Sequence, residues 1–183
     1  MSVSGGPLPV FLSAATPHLP AQQAFLRQVE EALRANAMAP RSVGGQDWSS
    51  GTPLVPVCEA MSACFGTVAV ALARNLIVEG LKYVGGSSQN RISMRYLTTP
   101  WIHIEVALAF QLGHPVLLLK EDLVYPEGVL EPLNATSLSL TFSLRRDGIV
   151  EIPQHILEAL TSFREQVEAF ADRPQGPNVH RRG

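Results

Sequence analysis

A chain of 183 residues with 46% apolar and 16% charged side chains is long enough for one domain with a substantial core and too short for two of ordinary size. Its formal net charge of −2 leaves no basic footprint, so nucleic acid is not an expected partner. No stretch approaches the ~20 apolar residues of a membrane span, and the opening MSVSGGPLPV lacks the basic and apolar regions of a secretory signal, so a cytoplasmic location without membrane attachment is expected.

Residues 1–9 are rich in Gly, Ser and Pro and read as a flexible N-terminus ahead of a single α/β domain over residues 10–171. Residues 10–14, VFLSA, form a short apolar run ending in small side chains, the pattern of a buried parallel strand that opens into a loop. The loop 15–20 leads to a helix in which Phe25, Val29, Ala32 and Leu33 share one face, opposite Arg27, Glu30, Glu31 and Arg34. Residues 38–52 are rich in turn formers and hold at most a short strand at 41–43. A second helix, from Pro53 or Pro56 to Cys64, turns Leu54, Val57, Cys58 and Met61 inward and precedes a buried strand at 66–72, GTVAVAL. Cys58 and Cys64 match neither a disulfide framework nor a metal spacing and read as small buried hydrophobes. The alternation predicts a doubly wound, mainly parallel α/β sheet of the flavodoxin-like kind, with helices on both faces.

Residues 75–83 are compatible with a helix, and 85–91, GGSSQNR, with a flexible loop. Thr99 before Pro100 marks a helix start, and Gly113 with Pro115 marks its end before a strand at 116–119. A connection at 123–136, a strand at 137–142, a turn at 145–148 and a strand at 149–152 follow. The last helix carries Ile156, Leu160, Phe163, Val167 and Phe170 in steps of four and three, and residues 172–183 read as a disordered tail.

One carboxylate stands out. Between Arg95 and Lys120 the only acidic residue is Glu105, in a stretch whose apolar character predicts burial. Burying an ionised group without partners costs several kcal/mol or raises its pKa, so such a group marks a candidate site. Trp101 lies four residues earlier and shares a helical face with it. Structural alternatives stand beside this reading: Glu105 as a helix cap or an arginine partner, Trp101 as core, Asp47 as a turn residue. His103 and Glu105 are two apart and point to different faces, so no metal site is expected, and no GxGxxG or P-loop is present. Ligands of doubly wound sheets sit at the carboxyl ends of the strands. That edge gathers Ser13, Ala14 and Thr16 after the first strand and Ala73 and Arg74 after the central one, with Arg74, Arg91 and Arg95 as candidate phosphate contacts.

Three pieces, in order, resemble the Toll/interleukin-1 receptor (TIR) domain and its enzymatic branch. Phe11, Leu12 and Ser13 resemble that family's first-strand motif, FISY. Residues 46–51, QDWSSG, resemble its RDxxPG motif, keeping Asp47 and Gly51 but with Gln46 for Arg and Ser50 for Pro. Trp101 to Glu105, WIHIE, is similar to the WxxxE signature that carries the catalytic glutamate. The likeness covers roughly residues 10–119 and implies an enzyme that hydrolyses NAD to nicotinamide and ADP-ribose or its cyclic form. It implies Glu105 as catalytic residue, Ser13, Ala14, Thr16, Asp47, Arg74 and Trp101 as substrate contacts, and NAD as substrate with no separate cofactor. It also implies bacterial immune or cell-death signalling, self-assembly into an oligomer or filament, and a separate sensor. The acidic or basic residue that follows the first strand in many adaptor members is absent, since Ala14 and Ala15 follow Ser13. The chain also resembles the nucleoside deoxyribosyltransferase group, whose glutamate likewise precedes an alanine-rich helix, a glycine and a Pro-Val strand. That group's usual Asp near the central strand is replaced here by Phe65 and Gly66. A non-catalytic TIR-like interaction module and a nucleoside N-glycosidase are thus the alternatives.

Overall fold

The computed structural model describes residues 6–44, 54–131, 138–144 and 151–173. Five parallel strands form the central sheet in the order β2-β1-β3-β6-β7. They are β1 (Leu8–Ala14), β2 (Met38–Arg41), β3 (Thr67–Ala71), β6 (Val116–Glu121) and β7 (Leu138–Phe142). The intervening helices are α1 (Pro20–Ala35), α2 (Leu54–Ser62), α3 (Pro100–Gln111) and α4 (Gln154–Ala171). The fold is therefore the doubly wound α/β sheet expected from the alternation of elements. The first strand begins two residues before the predicted start, because Leu8 and Pro9 already pair with Met38 and Ala39. The short strand predicted at 41–43 lies earlier, at β2, and Glu151 and Ile152 lie outside any strand. Motif residues 46–51, Asp47 among them, and the turn at 145–148 fall outside the described residues.

Strand alternation divides the core in two. Val10, Leu12, Val68, Val70, Leu72, Leu117 and Leu119 face α1 and α4, where Phe25 stacks on Phe142 with ring centres 3.9 Å apart. Phe11, Ala69, Ala71, Ala73 and Leu118 face the other way, toward Val57 and Met61 of α2 and Ile102, Val106 and Ala109 of α3. Cys64 is buried here, and burial pushes its thiol up to about 11, which keeps it an inert hydrophobe at neutral pH. Cys58, by contrast, is exposed, correcting its inward assignment: it follows Val57 by one residue and so turns about 100° off the buried face.

The segment between β3 and α3 differs from expectation. Residues 75–83 are not helical; β4 (Asn75–Lys82) and β5 (Asn90–Leu97) form an antiparallel hairpin, paired from Asn75 opposite Leu97 to Lys82 opposite Asn90. The run Leu76, Ile77, Val78 favours a strand, and Tyr83 and Gly85 both take positive φ in the turn. The hairpin roots on the carboxyl edge of the sheet: the Arg74 amide donates to the Leu97 carbonyl at 2.9 Å and the Tyr125 amide to the Tyr96 carbonyl at 2.8 Å. Arg95 stacks over the Tyr125 ring at 4.0 Å and Arg91 lies 3.5 Å from Glu79, so both arginines serve the hairpin.

At the opposite end of the sheet, His114 is buried with its Nδ1 3.0 Å from Thr67 Oγ1, and burial lowers its pKa to about 4, leaving the ring neutral at pH 7. Gly66, which leads into β3, lies under α4. A Cβ there would stand 2.8 Å from Val167 Cγ2 and 3.1 Å from Phe163 Cζ. Gly66→Ala is expected to destabilise the fold by about 1–3 kcal/mol through overpacking. The check is thermal unfolding: a drop of several degrees is expected, and an unchanged midpoint would show that α4 is not held there.

Candidate active site

Two features of the chain set the site. The strand order reverses between β1 and β3, so the loops leaving those strands part and open a crevice at their carboxyl ends. On the α2 and α3 side, β3 presents only small side chains, Ala69 and Ala71 with Ala73 just beyond, which lets α3 lie close against the sheet. Thr99 caps that helix by accepting from the Trp101 amide at 3.4 Å, Pro100 occupies its first turn, and Gly113 leaves it with φ of 70°.

Ile102, Val106 and Ala109 form the inward row of α3, and Glu105 stands beside it. Ser13 is two residues after Phe11 on β1, so it faces the same side of the sheet. It is 1% exposed, and its hydroxyl donates to Glu105 Oε2 across the crevice. Desolvation raises the Glu105 pKa above the ordinary carboxylate value, and the Ser13 hydrogen bond acts against that rise. Among the described residues the carboxylate thus neither caps the helix nor joins an ion pair; its hydrogen bond is with a hydroxyl from the neighbouring strand.

Glu105 forms part of the wall of a cavity of about 570 Å³, within the size range of small-molecule sites. Ala14, Thr16, Arg74 and Trp101 line the same cavity, together with Thr99 and Asn75. Of the residues singled out by sequence, Glu105, Ala14, Thr16, Arg74 and Trp101 therefore meet in one place, with Ser13 hydrogen-bonded to its carboxylate. Arg74 is exposed, and none of the ion pairs among the described residues involves it. Asp47 lies outside the described residues. Among the described residues no group of three or more His, Cys, Asp or Glu side chains is arranged to hold a metal ion, and no helix is long and apolar enough to cross a membrane.

A second carboxylate at the same edge was not singled out by sequence. Glu121 ends β6, is 3% exposed, and accepts from the Ala73 amide at 2.8 Å and from Gln22 Nε2 at 3.1 Å. Gln22 Nε2 also donates to the Ala73 carbonyl at 2.9 Å. Residue parity turns Glu121 with Leu117 and Leu119 toward α1, where Gln22 is buried. The three groups bracket Ala73 and fix the backbone from which Arg74 departs. The available signal was a Gln among Phe25, Val29 and Leu33 on the buried face of α1, a polar group that needs an internal partner.

No protein-family model and no curated protein sequence matches the chain. Among solved structures, a CMP N-glycosidase from Clostridium botulinum, BcmB, is similar at 15% identity and a TM-score of 0.45, over 83% of this chain and 97% of that one. The metal-soaked Flv1 flavodiiron core from Synechocystis is similar at 13% identity and a TM-score of 0.45, over 93% of this chain and 36% of that one. Likenesses this distant transfer neither residues nor chemistry.

A charge held where desolvation disfavours it costs stability, and the sign can be read from Glu105. Its pKa is raised in the folded state, so the penalty grows as pH rises from the unfolded value through the folded one and is complete above it. Glu105→Gln keeps an acceptor for Ser13 and removes the charge. It is expected to raise the melting temperature at pH 7. The gain should vanish below about pH 4, where both states carry a neutral carboxyl group; a lower melting temperature at pH 7 would contradict the assignment.

Proposed function

We propose that the chain is a TIR-like NAD glycohydrolase, cleaving the bond between nicotinamide and ribose to give nicotinamide with ADP-ribose or its cyclic form. The observation that carries this reading is the Glu105 carboxylate, bonded to Ser13 and facing a nucleotide-sized cavity at the point where strand order reverses. The resemblance of VFLSA and WIHIE to motifs of the enzymatic TIR domains supports it, since the residues those motifs share, Ser13 and Glu105, are in contact.

The chemistry asks little of the protein beyond that carboxylate. Nicotinamide in NAD is already a pyridinium cation, so the C–N bond breaks with both electrons passing to the ring nitrogen, and the base departs neutral without a general acid. Positive charge then develops on the ribose as an oxocarbenium-like species. A fixed carboxylate in a desolvated cavity stabilises that charge more than it stabilises the bound substrate, which is the condition for catalysis. Water, or the adenine of the same molecule in cyclisation, takes the vacated carbon and releases a proton. Trp101 on the neighbouring wall supplies a flat surface for the departing ring, and Arg74 at the rim a cation for the phosphates. In this reading the protein works after self-assembly and answers to a separate sensor, in bacterial immune or cell-death signalling.

Nicotinamide release from NAD, followed at low and high protein concentration, tests the reading. Glu105→Ala is expected to reduce release at least a thousandfold, and release is expected to rise more than in proportion to protein concentration. Ordinary activity in Glu105→Ala, or cleavage of free nucleosides with NAD left intact, would overturn it. The pH profile gives a separate check. The working form of Glu105 is ionised, so kcat/KM should fall as pH drops through its raised pKa, placing the acid limb above the ordinary glutamate value. Ser13→Ala removes the bond that holds this pKa down and should move the limb to higher pH; a limb that stays or moves lower assigns it to another group.

A further inference from the structure

A second cavity, of about 490 Å³, opens at the same edge of the sheet but on its other face. The first cavity lies on the α2 and α3 side; the second is framed by the start of α1, the ends of β3, β5 and β6, and Leu144 just after β7. Arg74 lines both. It is the one residue the two linings share, and it sits on the short ridge, just after Ala73, that separates them.

We infer that the two cavities hold the two ends of one dinucleotide, with the reacting nicotinamide ribose at Glu105, the diphosphate on Arg74 and the adenine end in the second cavity. This rests on the hydrolytic form of the glycohydrolase reading for the first cavity, since adenine held on the other face of the sheet is turned away from the vacated ribose carbon, and it adds a site that reading does not need.

Three observations support the assignment. The walls of the second cavity include Leu19, Pro20, Leu123 and Leu144, an apolar lining suited to a planar base. Its polar boundary includes Glu121, whose Oε2 accepts from Ala73 and Gln22 while Oε1 accepts no hydrogen bond among the described residues. An acceptor without a donor suits the exocyclic amine of adenine. Arg74 joins none of the ion pairs among the described residues, and a guanidinium between two ligand-sized spaces fits a molecule whose middle carries the negative charge. The Glu121, Gln22 and Ala73 bracket holds this ridge in place, so the separation of the cavities is set before any ligand arrives.

ADP carries the proposed second half of the ligand without the reacting half, so its binding to the full chain, measured by titration calorimetry, tests the inference apart from catalysis. ADP is expected to bind to the unsubstituted chain. Arg74→Ala is expected to weaken that binding about tenfold or more. Leu123→Glu, a substitution at an exposed rim position that places a negative charge beside the ligand, should weaken it similarly, and Ala21→Trp should do so by filling the cavity. Absence of ADP binding overturns the inference. So does binding that survives Leu123→Glu but falls in Trp101→Ala, because ADP would then occupy the first cavity. Either result leaves the glycohydrolase reading standing. ADP binding as expected, in a chain that releases no nicotinamide from NAD under any condition, would sink the glycohydrolase reading and with it the dinucleotide.

Discussion

The close approach of α3 to the sheet is the constraint on which the site depends. Alanines at 69, 71 and 73 leave room for the helix, and the helix uses that room to bring Glu105 within reach of a hydroxyl on the adjacent strand. The apolar stripe of Ile102, Val106 and Ala109 secures the helix against this face of β3, so burial energy fixes the position of a charge. Site geometry and core packing are here one arrangement.

The two acidic side chains at the carboxyl edge show how environment divides similar groups. Glu121 is almost wholly buried, yet it receives a backbone amide and a side-chain amide, and its task is to brace the chain. Glu105 is less buried but has one hydroxyl as its donor among the described residues and an open cavity beside it, so desolvation is incompletely offset. The fold engages one oxygen of Glu121, which fixes the side chain and leaves the other oxygen at the edge of the second cavity. A carboxylate held by a single hydroxyl keeps the capacity to answer charge that appears in front of it.

Much of this was legible in the sequence, for physical reasons that can be named. Buried parallel strands are continuous apolar runs, so β1, β3 and β6 announced themselves, and the Thr99-Pro100 start and Gly113 stop bounded α3 closely. From the strand ends alone, the general rule for ligand crevices collected Ala14, Thr16 and Arg74 beside Glu105. The hairpin was missed although both signals were present, the short run Leu76 to Val78 and the alternation of Ile92, Met94 and Tyr96 with Arg91, Ser93 and Arg95, because its strands bury little and the intervening glycines and serines read as a loop. Cys58 was misplaced by a single helical step. Glu121 escaped notice because its partner Gln22 is 99 positions away and its neighbour Lys120 makes the pair look like an ordinary charged strand end.

The β4–β5 hairpin stands on two feet, and both are planted at the mouth of the first cavity: Arg74 and Asn75 where it rises, Thr99 and Pro100 just past where it returns. Eight residues of extended chain carry its tip about 25 Å from those feet. Its outer span is rich in uncovered apolar side chains, Val78, Val84 and Met94 among them, while its base is riveted by Arg95 on Tyr125. Such an arm holds an apolar surface well away from the body of the fold while its root stays fixed beside the cavity, so strongly exposed apolar side chains and a polar cavity are joined by one short paired ribbon.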